Sequence, residues 1–403
     1  MVANALKVGL LTKEYPPEVY GGAGVHVAEL SRALADLVDV EVHCFGVERD
    51  DPLVAATYLE WDALDGAAPH LAALRTMSAD LAMAAGVKGA DIVHSHTWYA
   101  NLAGHLAKLV YGIPHVATTH SLEPLRPWKR EQLGGGYALS SFCERTALQG
   151  ADTIIAVSEG MKDDVLAAYP AVDPGRVAVI HNGVDPEVYR PVHDSDAVVA
   201  NGIDLTRPYA VFVGRITRQK GVVHLLDAAA HLPAGTQLVL CAGAPDTPEI
   251  AVDFRERVAA LDRAPVDVVW IERMLPRGQI VQILSHARVF VCPSIYEPFG
   301  IVNLEAMACG TPVVASAVGG IPEIVTPGEH GWLVDLEPGI DGSGSPADSE
   351  RFAHDLAARI TEVLMDEEEA AAMGTAGRER VEAHFGWPAI AAQTAQLYRR
   401  LAG

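Results

Sequence analysis

The sequence predicts an α/β protein with two domains, each built on a doubly wound parallel sheet. Its 403 residues exceed what one hydrophobic core usually fills. Short β-branched runs alternate with amphipathic helical patterns along the whole chain, which is typical of βαβ units. A stretch rich in Pro, Asp and Gly, residues 185–208, separates two halves with the same rhythm, so we place a domain boundary near residue 190.

Each half carries six predicted strands. They fall at residues 6–11, 40–45, 91–94, 115–119, 153–157 and 177–180 in the first half, and at 209–213, 237–241, 266–271, 289–292, 312–315 and 332–334 in the second. A helix is predicted at 25–38, where Val27, Leu30, Leu34 and Leu37 form one apolar stripe. Ligands of such folds bind at the carboxyl ends of the strands, and two facing domains would share one crevice there.

The composition favours a cytoplasmic enzyme, with 50% apolar and 20% charged residues. No apolar run approaches the roughly 20 residues that cross a bilayer. The segment 1–11, with Asn4 and Lys7, leads into a strand and does not resemble a secretory signal. Five cysteines without a C-x-x-C pair favour neither disulfides nor a zinc site.

The chain is strongly acidic, with a formal net charge of −22. A nucleic-acid partner is therefore not expected, because it would need a clustered basic face. If the ligand is a phosphate ester, the few cations have to be gathered in one place. Arg215 and Lys220 share the loop that follows the strand at 209–213, and a guanidinium with an ammonium suits a diphosphate. The alternative is solvated surface.

Glu297 and Glu305 lie in the segment PSIYEPFGIVNLEAMACG, which has the pattern of a strand end, a loop and a helix start. Amides at a helix N-terminus attract an anion. A carboxylate beside such a site suits the hydroxyls of a sugar or a ribose. The alternative is a pair of acids that only favour the helix dipole.

A glycine-rich loop precedes the first helix, with Gly21, Gly22 and Gly24 at its end. The pattern resembles half of a dinucleotide fingerprint. However, Val27 occupies the place of the third glycine, and the loop is too long for the tight turn of that motif. We therefore expect a phosphate or a sugar on backbone amides rather than a nicotinamide nucleotide.

Histidines follow two of the predicted strands. His120 could be a general acid or base, a hydrogen-bond donor to a hydroxyl, or a structural residue. His94 and His96 have the spacing of a metal pair, but no third ligand with sensible spacing is visible, so no zinc site is predicted. The D-x-D of Asp194 and Asp196 lies between the two halves, which does not support a metal that holds donor phosphates.

Arg126, Trp128, Lys129 and Arg130 form a basic, aromatic segment. It could bind an anionic lipid surface, the phosphate of a small acceptor, or only solvent. We favour the small acceptor, because no amphipathic basic helix accompanies the segment.

Together with VGRITRQKG and EAMACGTPVVASAVGGIPEIV, these motifs resemble the retaining glycosyltransferases of family 4, which have the GT-B fold. The opening LLTKEYPPEVYGGAGVHVAEL resembles the actinobacterial glycogen synthases of that family. The resemblance covers nearly the whole chain. It implies two Rossmann-like domains facing a central cleft, with residues 1–189 binding the acceptor, 190–385 binding the donor, and a final helix at 386–403 returning to the first domain.

The resemblance also implies roles for single residues. Arg215 and Lys220 would neutralise the donor diphosphate. Glu297 would hold glucose hydroxyls, Glu305 the ribose, and His120 the sugar near its C6 hydroxyl. His120, Arg215, Lys220 and Glu297 are the catalytic candidates. Further donor-binding candidates are Lys13, Gly22, Gly24, Arg273, Met274, Phe299, Gly300 and Ile301, and the acceptor candidates are Lys129, Arg130 and Tyr137. The motif around Lys13 departs from the K-x-G-G-L of glycogen synthases.

The implied reaction moves glucose with retention from a nucleotide sugar, with ADP-glucose favoured over UDP-glucose. Glucose 1-phosphate as acceptor would give α-maltose 1-phosphate, and α-glucan ends are a further acceptor. We expect no metal or other cofactor and no stable membrane association, while a homodimer stays open. Three alternatives remain: a membrane-associated mannosyltransferase acting on a phosphoinositide, a non-catalytic sugar-nucleotide regulator, and a pyridoxal-phosphate phosphorylase.

Overall fold

The computed structural model describes residues 6–243, 245–261, 264, 266–340 and 344–403. Asn4 and its neighbours in the segment 1–5 lie outside these residues. The chain divides into two compact units: unit 1 runs to Gly183 and includes Trp387–Gly403, and unit 2 is Val184–Gly386. The division falls at Gly183 rather than near residue 190, so the first part of the Pro-rich stretch belongs to unit 2.

Unit 1 contains, within the described residues, a parallel sheet in the order β3-β2-β1-β4-β5-β6-β7. Its strands are β1 (Lys7–Thr12), β2 (Asp39–Phe45), β3 (Val54–Tyr58), β4 (Ile92–His96), β5 (His115–Thr119), β6 (Thr153–Ala156) and β7 (Val177–Val179). The six predicted strands are confirmed with small shifts at their ends. The prediction missed β3, an edge strand without a fully buried residue.

Helices connect these strands. They are α1 (Gly22–Leu34), α2 (Leu71–Gly86), α3 (Trp98–Tyr111), α4 (Lys129–Leu133), α5 (Gly136–Gly150) and α6 (Glu159–Ala168), with 3-10 turns at Asp62–Leu64, Glu123–Leu125 and Pro174–Arg176. The first helix begins at Gly22, earlier than the apolar stripe alone predicted, so the glycines at 22 and 24 lie in its first turn.

Unit 2 contains a second parallel sheet among the described residues, in the order β10-β9-β8-β11-β12-β13. The strands are β8 (Tyr209–Arg215), β9 (Gln237–Gly243), β10 (Asp267–Ile271), β11 (Val289–Cys292), β12 (Val313–Ser316) and β13 (Gly331–Val334). All six had been predicted. The helices are α7 (Asp196–Ala200), α8 (Val222–Ala229), α9 (Pro248–Ala260), α10 (Arg277–His286), α11 (Ile301–Ala308), α12 (Ile321–Ile324), α13 (Ser349–Met365) and α14 (Glu367–His384).

The last helix, α15 (Trp387–Leu401), packs on the core of unit 1. Trp387 and Tyr398 are buried against the same apolar cluster as Leu10 of β1. The Tyr398 hydroxyl lies 2.5 Å from Nδ1 of His94 in β4. The carboxyl-terminal helix is therefore an integral part of unit 1, although the whole of unit 2 precedes it in the chain.

Both sheets reverse their strand order at one place, between β1 and β4 in unit 1 and between β8 and β11 in unit 2. Loops that leave neighbouring strands in opposite directions open a crevice at such a point, and ligands of α/β sheets bind there. The candidate ligand-binding loops are therefore those that follow β1, β4, β8 and β11. Within the described residues, no helix combines the length and apolarity needed to cross a membrane.

Candidate active site

The reversal point of unit 2 holds a buried ion pair. Lys220 lies in the loop after β8, and Glu297 lies in the loop after the neighbouring strand β11. The Lys220 Nζ atom is 2.6 Å from Glu297 Oε2, and the Ser294 hydroxyl donates to the same oxygen at 3.1 Å. Glu297 is only 6% exposed, so both charges sit where water compensates them poorly and each depends on the other.

Two glycines allow neighbouring loops to pack closely on the loop after β11: Gly221 in the loop after β8, and Gly319 in the loop after β12. Gly221 has φ +61°, and a Cβ atom there would lie 2.0 Å from the carbonyl oxygen of Pro293. Gly319 has φ +53°, and a Cβ atom there would lie 2.0 Å from the carbonyl oxygen of Glu297. An L side chain at either position would both strain the backbone and push the loops apart.

The electrostatics of Lys220 reflect this setting. Burial is the largest single influence and lowers its pKa, but the Glu297 carboxylate and Cys292 together raise it, so that the pKa of Lys220 lies above its ordinary value. The charge of Arg215 opposes that rise, which puts the guanidinium within electrostatic range of the ammonium. Arg215 is itself paired, with Nη1 3.1 Å from Asp246 Oδ1. The structure thus gathers the two predicted cations, each beside an acid.

Glu305 lies on α11, within electrostatic range of Lys220 and Arg277. Burial raises the pKa of its carboxyl to about 7, against the hydrogen bond from Tyr189 and the charges of Arg277 and Lys220, which lower it. The carboxyl is therefore poised between its neutral and charged forms at neutral pH. Both glutamates of the predicted pair lie within electrostatic range of Lys220.

The start of α11 follows directly after Phe299. Gly300 is the N-cap residue with φ +105°, and a Cβ atom there would lie 2.4 Å from the side-chain nitrogen of Asn303. Within the described residues no side chain caps this end of the helix. The predicted amide donors at Phe299, Gly300 and Ile301 are therefore located at a helix N-terminus, which favours an anion.

Several residues around this site were missed by the sequence. Asp246 and Tyr189 contact Arg215 and Glu305 from distant elements. Asn303 is fully buried, and its amide atoms have no hydrogen-bond partner among the described residues. An unpaired buried amide next to a helix N-terminus is a candidate for ligand contact.

Two further donor-binding candidates lie at the carboxyl end of the unit 2 sheet. Arg273 and Met274 follow β10, the edge strand, which β9 separates from β8. Arg273 Nη2 donates to Asn201 Oδ1 at 2.9 Å, and Met274 is 72% exposed. Their segment adjoins the end of β9, where a Cβ atom at Gly243 would lie 3.9 Å from the carbonyl carbon of Arg273, and Gly243 is in register with Arg215 of β8. Asp196 of the D-x-D accepts a hydrogen bond from Gln282 at 2.8 Å.

In unit 1, the glycine-rich loop is closed by an acid. The Glu14 carboxylate accepts hydrogen bonds from the amides of Tyr20 and Gly21, both at 2.8 Å. A Cβ atom at Gly24 would lie 2.8 Å from Glu14, whereas Gly22 is exposed. Glu14 thus already occupies amides that the sequence suggested for a phosphate, and Gly24 serves to make room for it.

Lys13 is held beside two aromatic rings. Its Nζ atom lies 4.6 Å from the centre of the Tyr99 ring and 5.7 Å from that of Phe45. A distant ion pair of 3.7 Å joins it to Glu60. These contacts stabilise the ammonium without a hydrogen-bonded acid.

Four histidines lie close together near the reversal point of unit 1. His96 Nδ1 is 3.1 Å from His120 Nε2, and the ring of His26 from α1 is 4.7 Å from that of His120. Burial lowers the pKa of His26 to about 4, although the Asn182 side chain opposes this shift, and burial holds the pKa values of His94, His96 and His120 well below their ordinary range. These imidazoles are neutral at physiological pH. His120 is therefore suited to hydrogen bonding rather than to protonating a substrate.

The sequence showed no third ligand with sensible spacing for His94 and His96, but the fold brings His26 and His120 close to His96. One ring nitrogen from each of His26, His96 and His120 lies within 4.8 Å of the others. His94 is not a member, because Tyr398 and Thr118 engage its two ring nitrogens. The residues come from three separate elements, so spacing along the chain could not reveal the group.

The basic segment of unit 1 is only partly available to a ligand. Trp128 is buried at 8% exposure. Arg130 lies over the ring of Tyr137 at 5.5 Å, and the Tyr137 hydroxyl donates to the Glu123 carbonyl at 2.6 Å. Two of the three predicted acceptor residues are thus in contact, and Lys129 opens the same short helix, α4.

Comparison with known proteins decides the family. Residues 20–188 match the profile of Glycosyltransferase Family 4, and residues 195–380 match that of Glycosyl transferases group 1. An alpha-maltose-1-phosphate synthase of Mycolicibacterium smegmatis is 53% identical over 98% of this chain and 100% of that protein. The chain belongs to glycosyltransferase family 4. It is a nucleotide-sugar glycosyltransferase, as the resemblance implied.

Two further proteins are similar to this chain over most of its length. A D-inositol 3-phosphate glycosyltransferase of Thermobispora bispora is 31% identical over 94% of this chain and 89% of that protein. The solved structure of a sucrose-phosphate synthase from Thermosynechococcus elongatus has a TM-score of 0.76 at 28% identity, covering 98% of this chain and 99% of that chain. The predicted fold class, GT-B with two Rossmann-like parallel sheets, is confirmed.

We expect the Glu305 carboxyl to titrate near pH 7, because burial disfavours its charged form. Carbon NMR of protein labelled at the glutamate carboxyl groups would measure the midpoint, and Glu305→Gln would assign the signal. Tyr189→Phe removes a donor that favours the charged form, so the midpoint should rise further.

Tyr209→Phe is the matched control, because the Tyr209 hydroxyl is buried in unit 2 but donates to the carbonyl of Ile283. It should leave the Glu305 midpoint unchanged. A midpoint near the ordinary glutamate value of about 4.3, or one that Tyr189→Phe does not move, would contradict this account of the site.

Proposed function

We propose that this chain is a retaining glucosyltransferase of α-glucan biosynthesis that transfers glucose from a nucleotide sugar to glucose 1-phosphate, forming α-maltose 1-phosphate. Similarity over the full length to the Mycolicibacterium smegmatis synthase supports the proposal. The structural observation that carries it is the contact of Lys220 with Glu297 beside Arg215. ADP-glucose is the favoured donor, and α-glucan ends are a further acceptor.

When the donor binds, the two cations of the unit 2 site would exchange their acidic partners for the diphosphate. The diphosphate would take the guanidinium of Arg215 and the ammonium of Lys220, which now face Asp246 and Glu297. The Glu297 carboxylate would then accept hydrogen bonds from glucose hydroxyls. Glu305, in its charged form, would accept from the ribose, and Arg273 with Met274 would adjoin the base.

Transfer would proceed by attack on the face of the leaving group. In the donor complex the Glu297 carboxylate would accept from glucose hydroxyls and from Ser294, so we do not assign this acid as a nucleophile. The acceptor 4-hydroxyl would bond to C1 as the bond from C1 to the phosphate oxygen breaks, and its proton would pass to that oxygen. Arg215 and Lys220 would stabilise the growing negative charge. This step requires neither a metal nor an organic cofactor.

Residues of unit 1 would complete the reaction. The neutral His120, whose Nε2 faces His96, would use Nδ1 to bond the C6 hydroxyl of the transferred glucose. Lys129, Arg130 and Tyr137 would hold the acceptor phosphate. Lys13 and the loop at Gly22 and Gly24 would contribute to donor binding.

A second acceptor class has a specific basis. The Thermobispora bispora relative is named for transfer to D-inositol 3-phosphate and aligns over 94% of this chain. An inositol phosphate carries the same kind of anion as glucose 1-phosphate, so the basic segment of α4 would suit either. Only the product distinguishes them.

The direct test incubates the full chain with ADP-glucose or UDP-glucose and with glucose 1-phosphate, a soluble α-glucan or an inositol phosphate. Proton and phosphorus NMR would identify each product. We expect α-maltose 1-phosphate, with the faster reaction from ADP-glucose. Transfer to inositol phosphate alone, transfer only to lipid in phosphoinositide vesicles, or a β-linked product would refute the proposal.

Lys220→Ala should reduce kcat by about 10²–10³-fold, because it removes a cation that acts on the leaving group. The acceptor KM should change far less, since Lys220 does not contact the acceptor in this scheme. Arg218→Ala is the matched control: it removes an exposed cation from the same loop and should leave kcat near its original value. If kcat of Lys220→Ala is nearly unchanged, Lys220 has no role at the leaving group.

A further inference from the structure

Three histidines of unit 1 form a cluster that the proposed reaction uses only in part. His26 lies in the second turn of α1, His96 ends β4, and His120 follows β5. One ring nitrogen of each lies within 4.8 Å of the other two. Only His120 has a part in the proposed transfer.

The cluster contains polar atoms without partners. His26 is 3% exposed and His96 is fully buried. Neither ring nitrogen of His26, nor Nε2 of His96, has a hydrogen-bond partner among the described residues. Buried polar atoms are nearly always paired, so the lone pair of the neutral His26 ring, which no hydrogen bond in the described residues uses, points to a ligand.

In contrast to His26, the neighbouring His94 has hydrogen-bond partners at both ring nitrogens. Its Nδ1 contacts the Tyr398 hydroxyl at 2.5 Å, and its Nε2 contacts the Thr118 hydroxyl at 2.6 Å. The His94 ring lies 4.2 Å from the His96 ring. This fixed neighbour limits the rotation of His96 and keeps it next to His120.

We propose that His26, His96 and His120 form a site for a single divalent transition-metal ion, with Zn²⁺ as the representative ion. Nitrogen ligands about 2.0–2.1 Å from a tetrahedral Zn²⁺ are about 3.4 Å apart. The separation of His96 Nδ1 from His120 Nε2, 3.1 Å, is already close to that value. Neither nitrogen of His26 makes a hydrogen bond of good geometry in the described structure. Rotation of the ring, against the interaction with the nearby Asn182 side chain, would bring the third nitrogen into range.

The protons balance without any release. His96 would coordinate through Nδ1 with its proton on Nε2. His120, which donates from Nε2 to His96 in the hydrogen bond between them, would change tautomer: its proton would move through solvent to Nδ1, because His120 is partly exposed, and Nε2 would coordinate the ion. All three rings are neutral before the ion binds, which is the form that metals require. The ion would displace only the hydrogen bond between His96 and His120.

Three imidazoles select the ion by its chemistry. Imidazole nitrogen suits Zn²⁺, Co²⁺, Ni²⁺ and Cu²⁺, whereas Mg²⁺ and Ca²⁺ require oxygen ligands. A fourth position would remain for water. A consequence that rests on the proposed function is inhibition, because an ion on His120 removes the ring from the glucose it would contact.

Metal binding can be measured without any activity. The full chain, first freed of metal by a chelator, would be titrated with Co²⁺ and followed by the visible absorption of tetrahedral cobalt. We expect one ion per chain, with Zn²⁺ displacing Co²⁺ and Mg²⁺ having no effect. His26→Gln, His96→Gln and His120→Gln should each weaken binding by at least about tenfold, the scale at which even supporting residues of metal sites act.

His43→Gln is the control, since His43 is buried on β2 and its Nδ1 contacts the Tyr58 hydroxyl at 2.8 Å. It should bind Co²⁺ as the original chain does. Thermal unfolding would verify that each variant is folded, and His120, which is partly exposed, is the least disruptive site. The proposal is overturned if Co²⁺ gives no tetrahedral spectrum, or if the spectrum is unchanged in each of the three single His→Gln variants.

The inhibition is tested separately from binding. If the chain transfers glucose, one equivalent of Zn²⁺ should suppress transfer and a chelator should restore it. Binding without suppression would refute the link to His120 while the site stands. Binding by a chain that shows no transfer would refute the proposed function and leave the metal site supported.

Discussion

The contact between the Lys220 ammonium and the Glu297 carboxylate is the interaction on which the site of unit 2 depends. Two buried charges are tolerated only when their geometry is good and further hydrogen bonds support them. Here the oxygen that accepts from Lys220 also accepts from Ser294. The backbone makes this possible, because glycines at 221 and 319 let the loops touch where any Cβ atom would collide with a carbonyl oxygen. The pair keeps Lys220 protonated in a setting that would otherwise favour its neutral form.

This arrangement explains how a chain with a net charge of −22 can handle an anionic substrate. The cations at Arg215 and Lys220 are each matched by an acid, so the resting site carries little net charge. A sugar diphosphate supplies both a charge for the cations and hydroxyls for the Glu297 carboxylate. A simple phosphate supplies only the charge and would leave the buried Glu297 carboxylate without a cation or a sugar hydroxyl, with only the Ser294 hydroxyl donating to it. Selection against such anions follows from the cost of that unpaired group.

Much of the fold could be predicted, because buried parallel strands appear as short β-branched runs bounded by turns. The strand Val54–Tyr58 escaped, since an edge strand with partly exposed residues lacks that signal. The boundary near residue 190 was displaced because composition marks the Pro-rich stretch but not which unit its ends pack against. The first helix also began earlier than predicted, since glycines carry no apolar stripe.

At the sites, the sequence identified residues whose motifs are local, such as Lys220 and Glu297. It could not identify their partners from distant elements: Asp246 reaches Arg215 from the loop after β9, and Tyr398 reaches His94 across 304 positions of the chain. The histidine cluster was missed for the same reason. Only the strand order, with β4 between β1 and β5, brings His96 and His120 together beside α1.

The most direct test of the central claim is a crystal structure of the full chain with ADP. The account predicts that the outer phosphate lies within hydrogen-bond distance of both Arg215 and Lys220, with the ribose hydroxyls at Glu305. A diphosphate bound away from both cations, with the contact between Lys220 and Glu297 unchanged and no ligand beside it, would contradict it.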